Sequence, residues 1–119
     1  MAAGIHDIII EQGATFTMST TLTSDGTTPV DLTGFQGRGQ VRAKSTDASS
    51  LAEFTVTVSD PTGGVVDIEL PDTESSKIPV KGASYKDMAT MYYDIELYDD
   101  ERVIRLLNGE ASISPEITK

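Results

Sequence analysis

Met91-Tyr92-Tyr93-Asp94-Ile95-Glu96-Leu97-Tyr98 is the stretch that decides the class of the fold. Tyr93, Ile95 and Leu97 fall on one side of an extended chain, and Tyr92, Asp94, Glu96 and Tyr98 on the other. A period of two belongs to a β-strand with one wet face. Asp99-Asp100-Glu101 supplies the turn that ends it.

The same period recurs outward in both directions. Phe35 to Lys44 sets Phe35, Gly37, Gly39, Val41 and Ala43 against Gln36, Arg38, Gln40, Arg42 and Lys44, the pattern of a half-buried strand. Two glycines on its inner face leave a space, and an aromatic ring is expected to fill it, with Tyr93 the candidate. Leu51 to Val58 buries Ala52, Phe54, Val56 and Val58, turns at Asp60-Pro61-Thr62-Gly63-Gly64 and returns through Val66, Ile68 and Leu70 as a hairpin. Toward the N-terminus, Asp7 to Glu11 reads as a short strand and Thr15 to Thr23 as a second, with Phe16, Met18, Thr20 and Leu22 inward. Pro71 to Lys77 suits one helical turn capped by Asp72.

The final strand starts at Arg102. Ile104 and Leu106 belong inside, yet so do Ala111 and Ile113, and the two pairs differ by an odd number of positions. A bulge near Leu107-Asn108-Gly109 reconciles them. About seven short strands, no helical period and regular turns predict an all-β fold, an immunoglobulin-like two-sheet antiparallel β-sandwich. The 119 residues fit a single domain over 1–119, with residues 1–5 as a flexible arm and 80–90 as an extended loop.

Composition narrows the function. Nine Lys and Arg against 19 Asp and Glu give a net charge of −10, which repels phosphate backbones and anionic lipid, so neither nucleic acid nor membrane is an expected partner. With no Cys there is no disulfide framework and no thiolate metal site. The longest apolar run, Ile8 to Ile10, is far short of a membrane span, and the first residues lack the pattern of an export signal.

Chemical motifs are sparse. His6, the only histidine, has no serine at nucleophile spacing and no third group to orient it. Asp67 with Glu69, and Asp94 with Glu96, pair carboxylates on one strand face, an arrangement that can serve acid catalysis or calcium. Both pairs lie on faces opposite apolar residues and read as solvated. Gly34 to Gly39 (GFQGRG) lacks the spacing and the following helix of a phosphate loop. Asp99, Asp100 and Glu101 lack the spacing of a calcium loop. No catalytic residue, metal site or cofactor is expected, and the chain is read as no enzyme. Arg38, Arg42 and Lys44 are instead expected to face Asp94 and Glu96 across neighbouring strands, favouring one register.

Six blocks occur in a characteristic order: DIIIEQGATFT from Asp7 to Thr17, PVDLTG from Pro29 to Gly34, the Gly37 to Arg42 strand, YDIEL from Tyr93 to Leu97, RLLNGE from Arg105 to Glu110, and SPEIT from Ser114 to Thr118. In this the chain resembles small tailed-phage virion proteins related to the N-terminal domain of upper baseplate proteins. The resemblance implies an immunoglobulin-like sandwich serving as a tail or baseplate part, multicopy or homo-oligomeric, with other phage virion proteins as partners. The location it implies is the virion, assembled in the host cytoplasm.

The chain departs from that pattern at Gly39, where relatives hold larger apolar residues, and in a longer Val80 to Thr90 segment. Tyr85 and Met88 in that segment are the first choice for a partner-specific surface. Two other roles fit the same fold: a capsid or neck accessory or decoration protein, and a carbohydrate-binding module for host attachment. The latter needs exposed aromatic platforms, for which Tyr92 and Tyr98 are the candidates.

Overall fold

The computed structural model describes residues 4–24, 26–43, 50–80 and 89–116. Its elements are β1 (Gly4–Ile5), β2 (Ile8–Glu11), β3 (Phe16–Thr21), β4 (Gln36–Arg42), β5 (Ala52–Asp60), β6 (Val65–Leu70), a single helical turn α1 (Asp72–Ser75), β7 (Ala89–Tyr98) and β8 (Val103–Ser114). The protein is therefore all-β. The strands follow one hydrogen-bonded path, β1-β8-β7-β4-β5-β6-β3, with β2 also alongside β8.

β5 is the corner of this path. Its first residues, Ala52 to Phe54, pair with β4, and from Thr55 onward it pairs with β6. Where two separate stacked sheets were expected, this strand passes from one group of strands to the other. Its alternation breaks near the far end, where the register slips between Val58 and Asp60. Such an irregularity raises local twist and lets a strand bend.

Alternation fills the core as the sequence predicts. Val41, Phe54, Val66, Ile68, Leu70, Tyr93, Ile95 and Leu97 are buried, together with Ile8 and Ile10 from β2 and Ala111 and Ile113 from β8. Phe54 stands at the centre, its ring 6.5 Å from that of Phe16 and 5.9 Å from that of Tyr93. These contacts tie β3, β5 and β7 to one cluster.

Several expectations are corrected. The space over the β4 glycines is not filled by Tyr93, which pairs with Val41, two rungs from Gly39. A Cβ on Gly39 would lie 2.5 Å from Ile95 Cδ1 and 3.2 Å from Phe54 Cδ2, and one on Gly37 would lie 2.2 Å from Val56 Cγ1. An aromatic ring does close on Gly39, but it comes from β5. The bulge in the last strand sits at Leu106, because Ile95 faces Leu107 while Glu96 faces Arg105.

The strands are not uniformly antiparallel, since β1 and β2 both run parallel to β8. Gly4 and Ile5, assigned to an arm, pair with Leu107 and Asn108. Asp72 does not cap α1. Pro71 holds the N-cap position without a side-chain bond, and Asp72 is the first helical residue. Ala89 and Thr90, placed in the long loop, already belong to β7.

Two turns show why the chain changes direction where it does. At Gly64 φ is +68°, and a Cβ would lie 2.6 Å from the Leu22 carbonyl oxygen, so only glycine fits between the β5–β6 turn and the end of β3. At the β7–β8 turn the Asp99 carboxylate accepts from the backbone N–H groups of Glu101 (2.9 Å) and Arg102 (2.7 Å). Those two bonds hold its carboxyl below the usual range.

Candidate interaction surfaces

The outward face of β4, β7 and β8 gathers most of the polar side chains singled out in the sequence. Pairing of β4 with β7 sets Gln36 opposite Tyr98, Arg38 opposite Glu96, Gln40 opposite Asp94 and Arg42 opposite Tyr92. The expected charge pairing is present at one rung, where Arg38 Nε donates to Glu96 Oε1 at 2.9 Å. On the other flank Arg105 Nε lies 3.7 Å from Asp94 Oδ2. Both arginines are more than half exposed, so each pair contributes at most about 1 kcal/mol and acts mainly on register. Partial burial pushes the Asp94 carboxyl up, the nearby Glu96 charge adds to this, and Arg105, Arg42 and Arg38 pull the other way.

Of the four residues singled out for contact with a protein partner or a carbohydrate, Tyr85 and Met88 lie outside the described residues. Tyr98 is engaged within the protein: its hydroxyl donates to Gln36 Oε1 at 3.1 Å and the Arg38 guanidinium stands 4.6 Å over its ring. Tyr92 is 41% exposed. It borders a cleft of about 440 Å³ whose walls include Ile5, Gln40, Asp94, Asn108 and Glu110. The two candidate rings are thus unequal, one stacked and the other open.

The cleft owes its shape to a docking the sequence did not disclose. Glycine at 109 lets the His6–Asp7 backbone lie directly on β8, since a Cβ there would sit 2.3 Å from the His6 carbonyl oxygen. That carbonyl accepts from the Tyr93 hydroxyl, His6 N–H donates to the Asn108 carbonyl at 3.0 Å, and Asp7 Oδ1 accepts from Glu110 N–H at 3.0 Å. Burial, with a smaller effect of the Asp7 charge, pushes the Tyr93 hydroxyl up to about 12. His6 therefore works through its main chain, and its side chain is exposed.

A second polar knot escaped the sequence reading. The Ser75 side chain, fully buried, accepts from Gly13 N–H at 3.1 Å and donates to the Ala14 carbonyl at 2.7 Å. Gln12 Nε2 donates to the Ile78 carbonyl at 2.8 Å while its Oε1 accepts from Glu116 N–H at 3.0 Å. These bonds lash α1, the β2–β3 turn and the segment after β8 together. Nothing in period or spacing marks such residues, because a Ser or Gln in a turn looks the same whether its partner is water or a distant backbone.

The remaining acidic motifs have plain roles. Asp67 and Glu69 face outward from β6, where Asp67 Oδ1 accepts from Ser19 Oγ at 2.9 Å. Among the described residues no three His, Asp or Glu side chains converge in a way that would hold a metal ion. No helix among them is long and apolar enough to cross a membrane.

The path also has two open ends. At one, β1 and β2 pair only with β8 among the described residues, and Ile5 is 84% and Ile9 62% exposed. At the other, β3 pairs only with β6 among the described residues.

No protein-family model matches the chain, and neither does any curated protein. Solved structures with some likeness include the NK cell receptor Nkp44, 12% identical over 98% of this chain and 100% of that one, with a TM-score of 0.41. Murine CRIg is 8% identical over 92% of each chain, and a VGSC beta subunit is 11% identical over 99% of this chain and 98% of that one, both at a TM-score of 0.39. At TM-scores below 0.5, none of the three defines the fold or the function of this chain.

Proposed function

We propose that this protein is a non-enzymatic structural component of a tailed-phage particle, in its tail or baseplate, which assembles with other virion proteins through sheet edges and loops. In this reading the strands on either side of β5 are the two layers of an immunoglobulin-like sandwich. The observation that carries it is the β1–β2 edge, which among the described residues pairs only with β8 and where Ile5 and Ile9 stand out in solvent. An edge of this kind is a template for a neighbouring strand and is normally blunted unless it is used. The order of the six sequence blocks supports the particle assignment.

The test is mass in solution, alone and after mixing with the other proteins of the particle, followed by imaging of intact particles carrying a labelled copy. Tail or baseplate density is the expected result. Density on the head shell would support the capsid or neck accessory role instead, and absence from the particle would end the proposal.

A second reading, attachment to a host carbohydrate, is favoured by the open ring of Tyr92 above a cleft with amide and carboxylate walls. Aromatic faces stack on sugar rings while planar polar groups bind hydroxyls. Glycan-array binding that disappears in Tyr92→Ala would establish it, and an array without signal for the unaltered protein would dismiss it.

A further inference from the structure

The two open edges differ in charge. β2 ends in Glu11 and follows Asp7, so an antiparallel pairing of two copies about Ile9 sets Asp7 opposite Glu11. Two like-charged rungs oppose it. β3 reads Phe16-Thr-Met-Ser-Thr-Thr21, six residues with no charge, no proline and an unbroken register against β6. In a chain of net charge −10, this is the edge at which two copies meet without repulsion along the strand. The N-terminal strands pair with β8, and among the described residues β3 has β6 alone.

The backbone fixes the register. Leu22 N–H donates to the Gly64 carbonyl at 2.8 Å, on the β6 side. Antiparallel strands direct alternate residues to alternate sides, so the N–H and C=O groups of Thr17, Ser19 and Thr21 point away from β6. A two-fold axis normal to the sheet keeps each face on its own side, which requires residues of equal parity to oppose one another. Centring on Ser19 pairs Thr17 with Thr21, Ser19 with Ser19 and Thr21 with Thr17, using all three outward residues of each strand. Centring on Met18 uses only Thr17 and Ser19.

We infer that β3 pairs antiparallel with β3 of a second copy of this chain, Ser19 opposite Ser19. The inference rests on the proposed mode of assembly through sheet edges and names one edge and its occupant. On the outer face the contact matches hydroxyl side chains, Thr with Thr and Ser with Ser. On the inner face Met18, half-buried, meets Thr20, and each half-exposed apolar side chain loses further contact with water.

Ser19→Cys gives a chain with a single thiol, since the protein has no other cysteine. Opposed residues of a hydrogen-bonded antiparallel pair lie about 5.5 Å apart at Cα, within disulfide reach. Under mild oxidation Ser19→Cys is expected to crosslink at least about tenfold faster than Thr62→Cys, placed on the exposed β5–β6 turn. In the unaltered protein, light scattering should show dimer growing with concentration. Thr17→Lys with Ser19→Lys should raise the concentration for half-dimer by at least about tenfold. Those lysines sit opposite Glu69 and Asp67 of their own β6, so the monomer keeps its fold.

Monomer at every concentration, or crosslinking of Ser19→Cys no faster than Thr62→Cys, overturns the pairing. Whether the unaltered chain enters particles is measured in parallel. A chain that enters particles yet stays monomeric defeats only the β3 contact, whereas a dimer that never enters them defeats the virion role.

Discussion

Gly109→Ala should release the N-terminal segment from β8. Ordinary contact for a Cβ begins near 3.4 Å, and the new methyl would stand 2.3 Å from the His6 carbonyl oxygen and 2.9 Å from its carbon. Those atoms are main chain, so the segment must retreat by about 1 Å, beyond what a well-packed contact absorbs. Three hydrogen bonds lengthen together: Tyr93 hydroxyl to His6, His6 to Asn108, and Glu110 to Asp7. At roughly 1 kcal/mol each, the loss approaches 3 kcal/mol, and alanine's smaller unfolded-state entropy returns part of it. The net cost is about 2 kcal/mol, a fall in melting temperature of roughly 8 °C at this chain length. Calorimetry reads the total, and hydrogen exchange locates it, with the amides of His6 and Glu110 losing protection first.

Tyr93→Phe sharpens the test by deleting one of the three bonds at a cost of about 1 kcal/mol. Because both changes free the same segment, the double variant should lose clearly less than the sum of the single losses. A melting point for Gly109→Ala within a degree of the unaltered protein, or full additivity with Tyr93→Phe, would refute the account of how residues 6 and 7 are held.

Ser75→Ala removes the buried hydroxyl that serves Gly13 and Ala14 and should cost about 1 to 3 kcal/mol in urea unfolding, more than any exposed serine. Raising the pH should also destabilise the protein. The Tyr93 hydroxyl ionises near 10.0 when unfolded and about 12 when folded, so the unfolded state loses its proton first and stability falls between those values. Thermal melts across that window should lose this slope in Tyr93→Phe. Glu96→Gln, which breaks the exposed pair with Arg38, should shift the melting temperature by less than about 4 °C, and a larger shift would show the pair to be worth more than its exposure allows. Gly39→Val should destabilise by about 1 to 3 kcal/mol, since Ile95, the Asp94 carbonyl and Phe54 already fill the space above it.

The strands were legible because alternation is a local property. Tyr93, Ile95 and Leu97 are buried and Tyr92 exposed, as their positions in MYYDIELY require. The parity conflict between Leu106 and Ala111 forced a bulge, placed one residue from where it lies. Strand partners were harder to read. Gly39 demanded a ring, but whether Tyr93 or Phe54 supplied it depended on pairing offsets between β4, β5 and β7, which a period of two leaves free. Nothing in Asp7 to Glu11 separates parallel from antiparallel pairing, since both bury alternate isoleucines. The docking of His6 on Gly109 joins residues a hundred positions apart through main-chain atoms that carry no sequence signature. Tyr92 and Tyr98 are equally conspicuous as outward aromatics, yet Tyr98 is stacked beneath an arginine that a one-dimensional reading could not put there.

The parallel run of β2 along β8 also governs how the protein bears load. Tension entering ahead of β2 and leaving beyond β8 drags the two strands past each other lengthwise. Every rung from Ile8–Ala111 to Glu11–Ser114 then strains at once, and none can open ahead of the rest. A tether attached this way resists like a lap joint, whereas the same tension across β3 and β6 would part them rung by rung like a zip.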